Sequence, residues 1–336
     1  DPSQGRVNED LLRRAIEQYE KILEQEPNDV ESLINLSNLY RVAHDSVKAE
    51  KALKKVLELE PTSEEALTSL GALYGDIGDT TGAIEMLSRA AQKQPNTRVL
   101  AALGAAYERA NQHEKAVEAL EKALKLDRNN QEARRLLAQN LLLSDQHDKA
   151  LIQYQALAQQ DPQDPQNFLR LAQIYRQKRA FDQSRQNLQK AAALSPPGSI
   201  EVPYNEAMLL ETEGKTDQAI AVIEKVIDST AKASASDYTA RDRANRVFFY
   251  EKLGMLERSR ENYPAAEKAF RAMQELDAEN AARASVQLIE THRAAREFNR
   301  ALAESEAAWK KYQQDRSVAI IRATVQAPSG DPRPGG

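Results

Sequence analysis

The chain has no cysteine. That excludes disulfides, thiolate nucleophiles and Cys-ligated metal centres. It leaves the compartment open, because a chain without thiols tolerates either redox environment. Histidine is scarce, with four residues, and aromatic residues make up only 5%. Neither sign of charge dominates. The 46 basic and 51 acidic residues leave a net charge of −5, which argues against nucleic acid as a partner. No apolar run approaches the ~20 residues of a membrane-spanning helix. No signal peptide opens the chain, although a processed one leaves no trace. The catalytic signatures are missing too: there is no G-x-G-x-x-G, P-loop, G-x-S-x-G or H-E-x-x-H.

What the chain does have is helix formers, Ala, Leu, Glu, Lys and Gln, in a repeating order. The stretch LGALYGDIGDTTGAIEMLSRAAQKQP (70–95) is echoed by LGAAYERANQHEKAVEALEKALKLD (103–127). A marker residue falls at Ala15, Ala49, Ala83, Ala116, Ala150, Ser184, Ala219, Ala266 and Ala301, at intervals of 33 to 35 residues except for one step of 47. Nine residues before the markers stand Tyr40, Tyr74, Tyr107, Leu141, Tyr175 and Leu210, with Glu257 and His292 in the last two full units. Twelve residues after come Pro27, Pro61, Pro95, Pro162 and Pro196, with Arg128 breaking the set. Apolar residues recur at three- and four-residue steps, so each unit is two amphipathic helices. Small residues such as Gly71, Gly104 and Gly254 let the paired helices approach closely, and a proline at the unit's end cannot continue a helix. One pair cannot bury its apolar face alone, so neighbours must stack.

Over roughly residues 8–326 this pattern resembles the tetratricopeptide repeat, a helix-turn-helix unit of 34 residues. The resemblance implies an all-α, right-handed superhelical solenoid. It implies a binding protein without catalysis, cofactor or metal. The expected organisation is a flexible tail at 1–7, then a regular array at 8–197 made of a half repeat and about five full repeats. Divergent repeats follow at 198–326, with an insertion near 229–244, and then a flexible tail at 327–336. Eight pairs with a half unit on each side give 18 helices. An array that begins and ends mid-unit is expected to be cut from a longer chain, or capped by its odd helices. Within the insertion, 229–236 is expected to be an exposed loop, and Asp237 to cap an extended helix that runs to about Arg260. Pro196-Pro197-Gly198 stops one helix and Pro203 delays the next.

In repeats of this kind the first helix of each unit lines a concave groove. Counting from the markers, the groove carries Asn35 and Asn38, then Arg135 and Gln139, then Arg170, Gln173, Arg176 and Gln177. Tyr204, Asn205 and Met208 follow in the next unit. Arginine grips carboxylates bidentately, and glutamine and asparagine pair with peptide backbone. The first eight of these, from Asn35 to Gln177, are the candidate binding site, for a protein or peptide with acidic segments. The Lys/Asn/Arg clamp of chaperone-binding members is not reproduced. Only Asn38 and Arg98 match it by type, and no lysine is present at those positions. His113 and His147 occupy equivalent places, where other units have Phe181, Tyr263 and Phe298. They are expected to fill an aromatic slot and not to bind metal. The sequon Asn35-Leu36-Ser37 lies mid-helix and is discounted.

The reading is a protein–protein interaction scaffold or adaptor. Two alternatives stay open: a periplasmic or envelope scaffold of a secretion or polysaccharide-export machine, and the regulatory part of an enzyme whose catalytic domain is absent. Periplasmic, secreted and cytoplasmic placements are all compatible with the sequence, as is oligomerisation through exposed array ends.

Overall fold

The computed structural model describes residues 2–233, 237–276 and 278–326, with side chains from Glu9 onward. Among the described residues all regular structure is helical, in eighteen α-helices. The chain divides into two compact units, Asp1–Pro162 and Gln163–Gly336. In the first, α1 (Pro2–Gln25) stands alone before four pairs: α2 (Val30–Val42) with α3 (Ser46–Leu59), α4 (Glu64–Asp76) with α5 (Thr80–Lys93), α6 (Thr97–Arg109) with α7 (His113–Leu126), and α8 (Gln131–Leu143) with α9 (His147–Gln160). In the second, four pairs precede a lone last helix. They are α10 (Pro165–Gln177) with α11 (Phe181–Leu194), α12 (Glu201–Thr212) with α13 (Thr216–Ser229), α14 (Ala240–Ser259) with α15 (Tyr263–Leu276), and α16 (Ala281–Ala294) with α17 (Phe298–Lys311); α18 (Arg316–Gln326) closes the array.

Local chemistry sets the helix boundaries. Asp29, Ser63, Asn96, Asn130 and Asp164 cap the first helices of their pairs, each accepting a hydrogen bond from a backbone N–H in the first turn. Each first helix then ends in the same left-handed turn. The positive-φ residues His44, Gly78, Asn111, Asp145, Arg179, Gly214, Glu261 and Arg296 occupy one equivalent place, and only two of them are glycine. After seven of them the next residue reaches back five positions, as Asp45 N–H does to the Tyr40 carbonyl and Gln112 N–H to the Tyr107 carbonyl. This is a Schellman closure, which satisfies carbonyls that the helix end would otherwise orphan.

Packing follows the repeat. Each pair closes on its own small residues: a Cβ built on Gly104 would lie 2.5 Å from Leu120 Cγ, and one on Gly254 2.5 Å from the Phe270 ring. Larger side chains would force these helices apart. Leu120 and Phe270 are fully buried at those contacts. The Tyr40 hydroxyl donates to Glu20 Oε1 at 2.6 Å, and that of Tyr74 to Glu50 Oε1 at 2.9 Å, so these tyrosines tie one pair to the helix before it. Where Glu257 and His292 replace the tyrosine they are also buried, at 4% and 2% exposure, but they turn the other way. Glu257 accepts from Asn262 Nδ2 at 2.9 Å and His292 Nδ1 lies 3.0 Å from Glu297 Oε2, each closing the turn within its own pair.

Three boundaries differ from expectation. Helix α1 starts at Pro2, so it occupies most of the expected 1–7 tail; Asp1 lies outside the described residues. The cap of α14 is Thr239, not Asp237. Thr239 Oγ1 accepts from the Asp242 N–H while the Asp242 carboxylate accepts from the Thr239 N–H, a reciprocal box that an isolated aspartate two residues earlier cannot make. Helix α12 starts at Glu201, with Pro203 inside its first turn, where no N–H is required. The 327–336 tail and residues 234–236 of the expected loop lie outside the described residues.

Candidate functional site

Within each unit, the first helices of successive pairs touch directly: α2 with α4, α4 with α6 and α6 with α8, then α10 with α12 and α14 with α16. Second helices of successive pairs make no comparable approach. The closer spacing makes the first-helix face the inner one. The α12 and α14 backbones, on either side of the insertion, approach less closely, and these helices meet through side chains.

Polar rungs cross this face, with partners about one repeat length apart. In the first unit Arg41 meets Asp76 at 3.2 Å, Arg98 meets Glu64 at 3.5 Å, and Gln139 Nε2 donates to Glu108 Oε1 at 2.9 Å. Asn140, fully buried behind Gln139, donates to the other oxygen of Glu108 and stands 3.0 Å from His113 Nδ1. In the second unit Gln166 Nε2 donates to Glu201 at 2.6 Å, Arg176 to Thr212 Oγ1 at 3.4 Å and Lys252 to Glu211 at 2.7 Å.

The expected site residues take different positions in this lattice. Asn35 and Asn38 are half-buried on α2, and their carboxamides have no partner among the described residues. Arg135 and Gln139 are exposed on α8 in the first unit, Gln139 being held by Glu108. In the second unit Arg170 donates to Gln173 Oε1 at 3.1 Å. Both line a recess of about 170 Å³ with Gln166, Leu169, Glu201 and Asn205. Arg176 is turned to Thr212, and Gln177 is exposed near the end of α10.

The structure adds an apolar patch that the sequence reading passed over. On α14 the inner-face positions hold Phe248, Lys252 and Met255, and Phe248 and Met255 are 41% and 43% exposed. The Tyr204 ring of α12 packs against Phe248 with centroids 4.7 Å apart. Burial pushes the Tyr204 phenol above its ordinary range, opposed by the Arg176 charge. Counting nine, five and two residues back from Glu257 finds this set. The rungs also had a signal: complementary residues separated by one repeat.

Among the described residues no cluster of three His, Asp or Glu side chains forms, and His113 and His147 sit half-buried at the starts of α7 and α9, as expected of an aromatic slot. No described helix is long and apolar enough to cross a membrane.

Comparison with known proteins places these observations. Three tetratricopeptide repeat models match the chain, one at residues 42–107 and 107–174, one at 18–51 and one at 165–197 and 201–232. No curated protein sequence matches significantly. Among solved structures, YrrB, described as a TPR protein with an unusual peptide-binding site, is 25% identical with a TM-score of 0.50, over 55% of this chain and 95% of that one. A tetratricopeptide repeat protein from Parabacteroides merdae is 19% identical with a TM-score of 0.60, over 78% of this chain and 98% of its own. The APC/C hetero-tetramer Cut9–Hcn1 aligns with 95% of this chain and 60% of its own at 16% identity and a TM-score of 0.50.

Proposed function

The chain belongs to the tetratricopeptide repeat family, a family of protein-interaction scaffolds, and from that premise we propose that it is a non-catalytic adaptor holding an extended partner segment on its inner face. In the second unit the segment lies across α10, α12 and α14. The observation that carries this is the Tyr204–Phe248 pair. An exposed aromatic surface held at inner-face positions loses apolar area to water until something covers it. Beside it, Arg170 and Gln173 supply a carboxylate grip and backbone pairing, so an acidic, apolar-anchored peptide fits best. In the first unit, Asn35 and Asn38 offer unengaged carboxamides to a peptide backbone, and Arg135 and Gln139 extend the polar face. The peptide-binding site named for YrrB supports peptide as the ligand class.

Replacing Gln173 by a photo-crosslinking benzoylphenylalanine tests the reading. A partner crosslinked there, and lost when Arg170→Glu and Phe248→Ala are combined, is expected. Crosslinking unchanged by that double variant would remove the inner face as the binding surface. The two rivals, an envelope-machine scaffold and the regulatory part of a larger enzyme, are separated from the adaptor reading by the domains encoded beside this sequence.

A further inference from the structure

The second-helix side of the first unit carries two adjoining furrows. One, of about 610 Å³, runs between α5 and α7 over α6; its floor is formed by Leu100, Leu103 and Ala119, all buried. The next, of about 510 Å³, runs between α7 and α9 over Leu137 and Leu141 of α8. Helix α7 is the wall they share, and Lys125 lines both.

Their charge is lopsided. Lys115, Lys122, Lys125, Arg128, Arg134 and Lys149 line the two furrows, against only Glu118 and Glu121. This is a concentration of cations in a chain whose net charge is −5. Lys122 and Lys125 are exposed and have no acidic partner among the described residues. Arg134 is anchored by Gln153 Oε1 at 2.8 Å and by the Arg128 carbonyl, but its Nε is buried without a hydrogen bond, a donor left over. Apolar side chains also stand open at the furrows, Leu126 at 57% exposure and Ile152 at 62%. The comparable furrow of the second unit, between α13 and α15, has the opposite sign. Glu224, Asp228 and Glu257 line it, with Lys268 alone against them. Basic furrows are therefore not a by-product of the repeat.

We propose that the α5–α7–α9 surface is a second docking site, for an acidic amphipathic helix of a partner protein. An apolar floor between two basic walls matches a helix with one apolar stripe flanked by Asp or Glu. Along α7 the furrow extends from Lys115 to Leu126, which at 1.5 Å per residue is about 16 Å, roughly three turns of bound helix. Apolar burial supplies the affinity, and the lysines supply orientation and on-rate. The site is independent of the inner face.

The test uses the full chain and a fluorescein-labelled amphipathic peptide, leucines on one face and glutamates on the other, with its lysine-for-glutamate counterpart as control. The glutamate peptide is expected to bind, to weaken with salt, and to lose about tenfold in affinity when Lys122→Glu and Lys125→Glu are combined. Both lysines are exposed, so circular dichroism of that variant should match the parent. The Arg170→Glu, Phe248→Ala variant, which removes any binding of the probe at the inner face, should leave the lysine-dependent component intact. Equal binding of both peptides, loss confined to the Arg170 variant, or unchanged affinity of the lysine variant would each overturn the proposal. So would a single-stranded oligonucleotide that displaces the peptide and binds more tightly, which would make the surface a polyanion site. A milder pair, Lys122→Gln with Lys125→Gln, should give an intermediate loss; no loss there counts against the charge argument even if the reversal variant misfolds.

Discussion

Tyr74 on α4 donates its hydroxyl hydrogen to Glu50 on α3 at 2.9 Å, and Lys54 grips the same carboxylate oxygen at 2.7 Å. The three side chains join one pair to the next at the position that recurs as tyrosine. Hydrogen bonds from Lys54 and then Tyr74 hold the Glu50 carboxyl below its ordinary range. Burial, then the bond to Glu50, pushes the Tyr74 phenol up. The Tyr40 phenol is raised in the same way, by burial and by Glu20.

The signs predict two limbs of pH dependence. Glu50, with its folded value depressed, stabilises the fold above the ordinary carboxylate range, and that contribution is lost as pH falls through the depressed value. Tyr74, with its folded value raised, contributes fully below the ordinary tyrosine value of about 10 and loses it as pH rises through the raised value. In Tyr74→Phe the melting temperature should fall at neutral pH by the equivalent of about 0.5–1.5 kcal/mol, and the alkaline limb should become shallower than in the parent. Melts by circular dichroism across pH check both; an alkaline limb identical in the two proteins would contradict the assignment.

Gly104→Leu should lower stability by about 1–3 kcal/mol, because even a Cβ there meets Leu120 at 2.5 Å and the facing side chain is fully buried. A melt that overlays the parent would show that the pair does not close at this point.

His44→Gly should raise stability. His44 holds φ at 58° in the turn between α2 and α3 and is exposed. Removing the Cβ relieves a left-handed strain of about 1 kcal/mol, partly offset by the freedom glycine gains when unfolded. Calorimetry should find a small upward shift in Tm; a downward shift would mean that the imidazole makes a favourable contact.

Arg246→Ala should cost about 2–3 kcal/mol. The buried guanidinium donates to the Ile227 carbonyl at 2.7 Å, to Thr230 Oγ1 at 3.0 Å and to the Tyr250 hydroxyl at 2.9 Å, and its Cζ lies 5.0 Å from the Tyr238 ring centre. It thereby caps α13 from α14 across the insertion. Arg246→Lys should recover little, because an ammonium lacks the planar fork. Proteolysis near 230 should accelerate in both variants.

The repeat order was legible because each position obeys one local rule many times over. Eighteen helices, the glycine contacts and the tyrosine positions all follow from spacing alone. The turns were less legible. Six of the eight left-handed residues are not glycine, so the usual mark of that conformation is missing and only the surrounding hydrogen bonds impose it. The Thr239 cap needed two residues read together, Thr239 with Asp242, where a single aspartate looked sufficient. At the candidate site, sequence position alone gave the inner-face residues but not their engagement. That Gln139 is held by Glu108 while Asn38 is unengaged depends on side chains one repeat away. Phe248 escaped notice because the long step disturbs the count until the register is restarted from Glu257.

The rungs of the inner face make it its own competitor. In the second unit an incoming carboxylate that reaches Lys252, or a backbone carbonyl that reaches Gln166, finds Glu211 or Glu201 already there. Association is then an exchange of partners, and its free energy is a difference between two similar bonds and not the whole value of one. A ligand that offered only another carboxylate or carbonyl would gain little over the resident glutamate. On the proposed reading, a segment that also covers Phe248 would gain contacts no resident supplies, and the lattice would filter for ligands carrying both features.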